Sequence, residues 1–157
     1  MLGLGNPILT DDGVGIHVVR RAAAACRQPD VAFVEAAAGG LRLLELIAGY
    51  TRLILVDAIQ TPDGRPGQIY RLTIGSLRMP RHAGSTHDLS FQAAIAWGRR
   101  LGLALPADQA ISIIAIEAED VLSFGETLTA AVAAAVPQAV EQLLDELENC
   151  THERDEA

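Results

Sequence analysis

The sequence predicts an α/β fold, a three-layer α/β/α sandwich on a mostly parallel five-stranded sheet with one antiparallel strand. Three observations carry this. The runs 53–56 and 111–116 are continuously apolar, as in strands buried on both faces. Longer stretches with helical periodicity alternate with such runs. The connection from Val56 to Gln68 is short and full of turn formers, too short for a helical crossover. The two strands it joins are therefore expected to be antiparallel neighbours.

Taken in order, residues 2–5 form a short apolar strand that ends in the turn Gly5-Asn6-Pro7. Along 12–27, Val14, Val18, Val19, Ala22 and Cys26 fall on one helical stripe. The stretch 31–35 is rich in β-branched and aromatic residues and predicts a strand. After Gly39-Gly40, Leu41, Leu44, Ile47 and Ala48 recur at helical spacing up to Gly49, which suits a C-cap. Turn residues Pro62-Asp63-Gly64 and Pro66-Gly67 precede an alternating strand over 68–73. A loop over 76–86, a helix over 88–101, the strand 111–116 and an alanine-rich helix over 126–147 complete the order. Pro137 marks a place where that last helix kinks or restarts. The domain is expected to span 1–149, with 150–157 a frayed, solvated acidic tail.

A chain of 157 residues with 50% hydrophobic content has room for one domain with its own core and needs no disulfide or metal staple. All twelve basic residues are arginine, which excludes Schiff-base, Ser-Lys and P-loop lysine chemistry. Of the net charge of −8, −6 falls within 138–157, so the body is nearly neutral and offers no surface for nucleic acid. No apolar run is long enough for a membrane span and no signal peptide is evident. The two cysteines, Cys26 and Cys150, stand far apart without metal-ligand spacing, which fits a reducing, cytoplasmic setting.

In open α/β sheets, sites form beyond the carboxyl ends of parallel strands. Three polar residues fall at such places: Asp12 after the first strand, Asp57 after 53–56, and His87 just before the helix at 88. Asp11 and Asp12 also suit a helix N-terminus as simple dipole partners, worth about 0.3–1 kcal/mol each. Gly13 and Gly15 argue for more, namely close packing on the sheet or access for a ligand. Asp57 as a loop carboxylate accepting backbone amides and His87 as a cap are the bland alternatives. An oxygen, oxygen, nitrogen set from Asp12, Asp57 and His87 suits a borderline divalent ion such as nickel or zinc. His17 within the first helix, His82 in a loop and His152 in the tail are less well placed. Cys26, on the apolar stripe, is expected to be a buried structural thiol.

From Gly3-Leu4-Gly5-Asn6-Pro7 through Asp11-Asp12-Gly13-Val14-Gly15, the chain resembles the hydrogenase maturation proteases. These endopeptidases trim the C-terminus of the nickel-iron hydrogenase large subunit. The likeness continues at Leu55-Val56-Asp57-Ala58 and Ser85-Thr86-His87-Asp88-Leu89 and extends over about residues 1–147. It implies that Asp12, Asp57 and His87 are the metal contacts and the best candidates for catalysis. Nickel is expected to arrive with the large-subunit precursor, although another divalent ion could occupy the site in vitro. Asn6, Arg78 and Arg81 are expected to bind substrate. The implied protein is a cytoplasmic monomer with neither nucleic-acid nor membrane partners. A non-catalytic nickel-binding checkpoint or chaperone for the large subunit is the alternative.

Two departures from the family pattern stand out. The stretch Glu35-Ala36-Ala37-Ala38-Gly39-Gly40 replaces an Asp-Gly-Gly-Thr-like segment, and Glu35 has no assigned role. The first strand is short for the family, which raises the expectation of a start upstream of Met1. The opening residues also resemble peptidyl-tRNA hydrolases, but Asp11-Asp12 stand where those enzymes carry a histidine-asparagine pair, and the basic surface is missing. A dinucleotide-binding motif fails because Ile8 replaces its third glycine.

Overall fold

Alternating side chains sort the apolar residues of the strands onto two faces of one sheet, and a pair of helices closes each face. The computed structural model describes residues 1–37, 41–77 and 88–155. Its strands are β1 (Leu2–Leu4), β2 (Val34–Ala36), β3 (Leu53–Ile59), β4 (Ile69–Thr73) and β5 (Ile111–Glu117), arranged β2-β1-β3-β5-β4. Pairing is parallel throughout except between β4 and β5. On one face, Ile54, Val56, Ala58, Ile114 and Ile116 pack with α1 (Val14–Ala25) and α4 (Ala130–Asp155) through Val14, Val18, Val132, Val136 and Leu143. On the other, Leu2, Leu4, Leu53, Leu55, Ile111 and Ile113 pack with α2 (Leu41–Ile47) and α3 (Asp88–Arg100) through Leu43, Leu44, Ile47, Phe91 and Ile95. The predicted three layers and mixed sheet are therefore present.

One pairing differs. The sequence predicts β4 beside β3, whereas β4 pairs with β5, which is inserted between them. Six of the seven residues of β5 are buried, so the strand needs a covered central position, while β4 alternates between half-buried and exposed and suits an edge. The 60–68 connection is long enough to pass over the end of β5: the Gly67 amide donates to Glu117 O at 2.8 Å, and the Glu117 amide donates to Gln68 O at 2.8 Å. β3 also runs on through Asp57 to Ile59, so Asp57 lies inside the strand rather than just after it.

The last helix begins at Ala130 rather than 126 and continues without a break through Pro137 to Asp155. Neither glycine nor proline occurs between 138 and 155, so nothing in the sequence stops the helix at 149, and the predicted frayed tail is instead helical as far as Asp155. Gly49 takes the predicted capping role after α2, in the left-handed region at φ 85°. Cys26, on the stripe of α1, is only partly buried at the edge of its core, and its sulfur accepts from the Gln28 amide at 3.4 Å.

Candidate functional site

Strand order reverses between β1 and β3: the chain leaves β1 for β2 on one side and later fills β3 and β5 on the other. Such a switch point opens a crevice at the carboxyl ends of the strands. β1 stops at Leu4 and its pairing with β3 ends at Gly3–Val56, so β3 extends past its neighbour from Asp57 onward. The two described acids singled out from the sequence lie on the two sides of this point.

The segment after β1 is folded tightly. Gly5, at φ 135°, donates its amide to Ala36 O at 3.1 Å, and a Cβ there would fall 1.7 Å from Asp12 O. The Asn6 side-chain oxygen accepts from the Ile8 amide at 3.2 Å, and the Leu9 amide donates to Asn6 O at 3.0 Å. A 3₁₀ turn, Thr10–Gly13, then delivers the chain into α1. A Cβ on Gly15 would sit 2.3 Å from Val56 O and 2.4 Å from Leu4 O, so only glycine lets the start of α1 lie directly on the ends of β1 and β3. The glycines of this motif thus serve close backbone packing.

Within this frame the two neighbouring acids divide. Asp11 is completely buried. Its Oδ2 accepts from the amides of Glu119 and Asp120 at 3.0 and 3.1 Å and from the Thr129 hydroxyl at 2.9 Å; its Oδ1 accepts from the Thr129 amide at 2.7 Å. It pins the loop before α4 and explains why 126–129 is not helical. Asp12 is half-buried, and its Oδ2 accepts one hydrogen bond, from the Asn6 amide at 2.7 Å. Its other oxygen makes no hydrogen bond to any described residue.

Asp57 is 6% exposed and its Oδ1 accepts from the Ala58 amide at 2.8 Å. Strand alternation puts it on the same face as Leu53 and Leu55, the face covered by α2 and α3. His87, Arg78, Arg81 and His82 lie outside the described residues. Among the described residues no three histidine, cysteine, aspartate or glutamate side chains converge to hold a metal. Asn6 donates its amide to Asp12, and its side chain closes the turn.

Other candidates find structural partners. Glu35 forms a two-pronged ion pair with Arg20, both contacts at 2.8 Å, across α1 and β2. Burial, together with Arg20 and Arg21, holds the His17 imidazole below its ordinary value. A third acid went unremarked in the sequence. Glu117 ends β5, is 2% exposed, and accepts from the Thr61 amide at 2.6 Å and from the hydroxyls of Thr61 and Tyr70, each at 3.0 Å. The signal that marks Asp57, a carboxylate closing an apolar run, marks Glu117 equally.

This sheet order, β2-β1-β3-β5-β4 with helices on both faces and an acid on either side of the switch point, defines a small open-sheet α/β protein. A family model described as hydrogenase maturation protease matches residues 16–146, and the chain belongs to that family. It is similar to the HupD hydrogenase expression/formation protein of Rhodobacter capsulatus, 29% identical over 94% of this chain and 70% of the relative. The HoxM hydrogenase expression/formation protein of Cupriavidus necator is 27% identical, over 92% of this chain and 71% of its own. Among solved structures, the hydrogenase maturating endopeptidase HybD from E. coli superposes with a TM-score of 0.76 at 27% identity, covering 95% of this chain and 91% of that one.

Proposed function

We propose that the protein is an endopeptidase that removes the C-terminal extension of a nickel-loaded nickel-iron hydrogenase large-subunit precursor, recognising the nickel already bound there. The observation that supports this most is the placing of Asp12 and Asp57 on the two sides of the β1/β3 switch point, in a chain of this family. The nickel is cargo of the substrate. Asp12 and Asp57 offer it hard oxygen ligands and His87 a nitrogen, a mixed set that suits a borderline divalent ion. Asn6 fixes Asp12 through its backbone amide, and Arg78 and Arg81 supply positive charge for carboxylates of the substrate. Contact with the ion fixes the neighbouring peptide bond in register for attack by water, so orientation is the main contribution of the three residues. The carbonyl carbon gains the oxygen of water, the C–N bond breaks, and the departing amine takes up the proton. The described helices include none long and apolar enough to cross a membrane. This reading has the protein acting as a monomer in the cytoplasm.

The test is to mix purified protein with nickel-loaded and nickel-free precursor and follow the mass of the large subunit. Only the loaded form should be shortened, and the Asp57→Ala and His87→Ala variants should lose processing by at least a hundredfold while keeping the wild-type melting temperature. Equal processing of both forms would defeat nickel recognition. Binding of the loaded precursor with no change of mass would replace the protease with a non-catalytic nickel checkpoint.

A further inference from the structure

We propose that the loop 120–125, with Ile8 beside it, is the surface on which the large-subunit precursor docks, taking an apolar segment of that partner flanked by basic residues. This deepens the proteolytic reading above and rests on it. Phe124 and Leu122 are 85% and 83% exposed, the highest values among the exposed large apolar side chains described, and Ile8 is 47% exposed. Apolar side chains this exposed and this close together are a feature of interaction sites rather than of inert surface.

The loop that carries them is held rigidly. The Asp120 carboxylate accepts from the amides of Leu122 and Ser123, both at 2.9 Å. The Thr10 hydroxyl donates to Ser123 O at 2.8 Å, the Thr10 amide to Gly125 O at 2.7 Å, and the Gly125 amide to Ile8 O at 3.0 Å. Behind it, buried Asp11 takes the amides of Glu119 and Asp120. Thr10 itself is held at φ 44°, a left-handed conformation that a β-branched residue adopts only when its surroundings impose it. Fixing the loop in advance reduces the ordering cost of docking, which is what a recognition surface needs.

Two further observations say what docks. The first is continuity: Ile8, Thr10 and Asp12 belong to one short segment, and the 120–125 loop is hydrogen-bonded to that segment, so the apolar patch adjoins the turn that carries Asp12. The second is charge. Glu119 and Glu126 are exposed on this loop region, and neither 1–19 nor 101–153 contains a lysine or arginine. An apolar segment bordered by basic residues complements that surface.

The experiment uses the full chain and the nickel-loaded precursor from the same organism. Leu122→Ser/Phe124→Ser should weaken direct binding of the precursor at least tenfold and raise KM to match, with kcat within twofold and melting temperature unchanged. Leu122→Met/Phe124→Leu, which keeps the surface apolar, should restore binding, and Glu119→Gln/Glu126→Gln should lower the salt sensitivity of association. Unchanged binding in the serine variant, or failure of the apolar variant to restore it, would overturn the docking surface. So would a concentration-dependent dimer of the wild type that the serine variant abolishes, since the patch would then serve a second copy. The two proposals fail separately. Cleavage that ignores the serine substitutions removes the dock and spares the protease, whereas binding that depends on Leu122 and Phe124 without cleavage removes the protease and spares the dock.

Discussion

The Asp11 carboxylate takes up three amides and a hydroxyl from 119–129, while the adjacent Asp12 takes up one amide, from Asn6. The two side chains are chemically identical and differ only in which way the 3₁₀ turn aims them. Replacing Asp11 by alanine strands those buried donors without an acceptor, a loss of about 3 kcal/mol that chemical denaturation will register. Asp12→Asn removes no buried network, so stability should change by less than about 1 kcal/mol while precursor processing is lost. A variant pair behaving the other way round would exchange the roles of the two acids. The sequence singles out both residues from their place after a strand, but no spacing rule tells them apart. The distinction depends on contacts with residues more than a hundred positions away, which pattern along the chain does not encode. Asp57 is legible for a stronger reason: a carboxylate directly after four aliphatics is hard to place in a core unless the chain ends its burial there or uses the group.

At the scale of elements, the start of α1 is set by what it has to approach. Gly15 brings the helix within backbone contact of Val56 O and Leu4 O, and a methyl group there would overlap both carbonyls. Gly15→Ala should therefore destabilise by about 3 kcal/mol through separation of α1 from the sheet. It should also lower activity beyond the stability loss, because Asp12 rides on the turn that moves with the helix. Gly49→Ala provides the contrast. Its φ of 85° disfavours an L side chain, but no atom of a described residue beyond its chain neighbours lies within 4 Å of the added carbon, so the cost is that of the backbone alone, about 1 kcal/mol. Thermal melts of both variants, with processing assays on the folded fraction, separate steric from conformational demands. Helical periodicity identifies α1, α2 and α3 within a few residues, since each has one buried stripe. It misplaces the ends of α4, where a buried acid delays the start and the absence of any breaker lets the helix run on.

At the scale of the whole molecule, the layers and the parallel core follow from which runs are wholly apolar, and those are visible in the sequence. The partner of β4 is not, because a turn-rich connection is compatible both with a hairpin and with a short hop across one intervening strand. What makes the hop work is Glu117. Its side chain, at the end of β5, collects the Thr61 amide and hydroxyl from the crossing connection and the Tyr70 hydroxyl from β4 itself. Gly64 lies so close that a Cβ would fall 2.0 Å from the Glu117 carboxyl carbon. Burial and the contact with Glu117 raise the Tyr70 phenol above its ordinary value, so it remains a donor to that carboxylate at physiological pH. One buried carboxylate thus fastens the connection and the edge strand to the centre of the sheet. Glu117→Ala removes the acceptor for three donors, and the loss should be local because β3 and β5 keep their full ladder and both faces keep their cores. Hydrogen exchange should accordingly show the amides of β4 that bond to β5 losing at least tenfold in protection, with β3 and β5 amides close to wild type. Uniform loss across all five strands would mean that Glu117 supports the sheet as a whole, and unchanged β4 protection would mean that backbone pairing with β5 alone holds the edge.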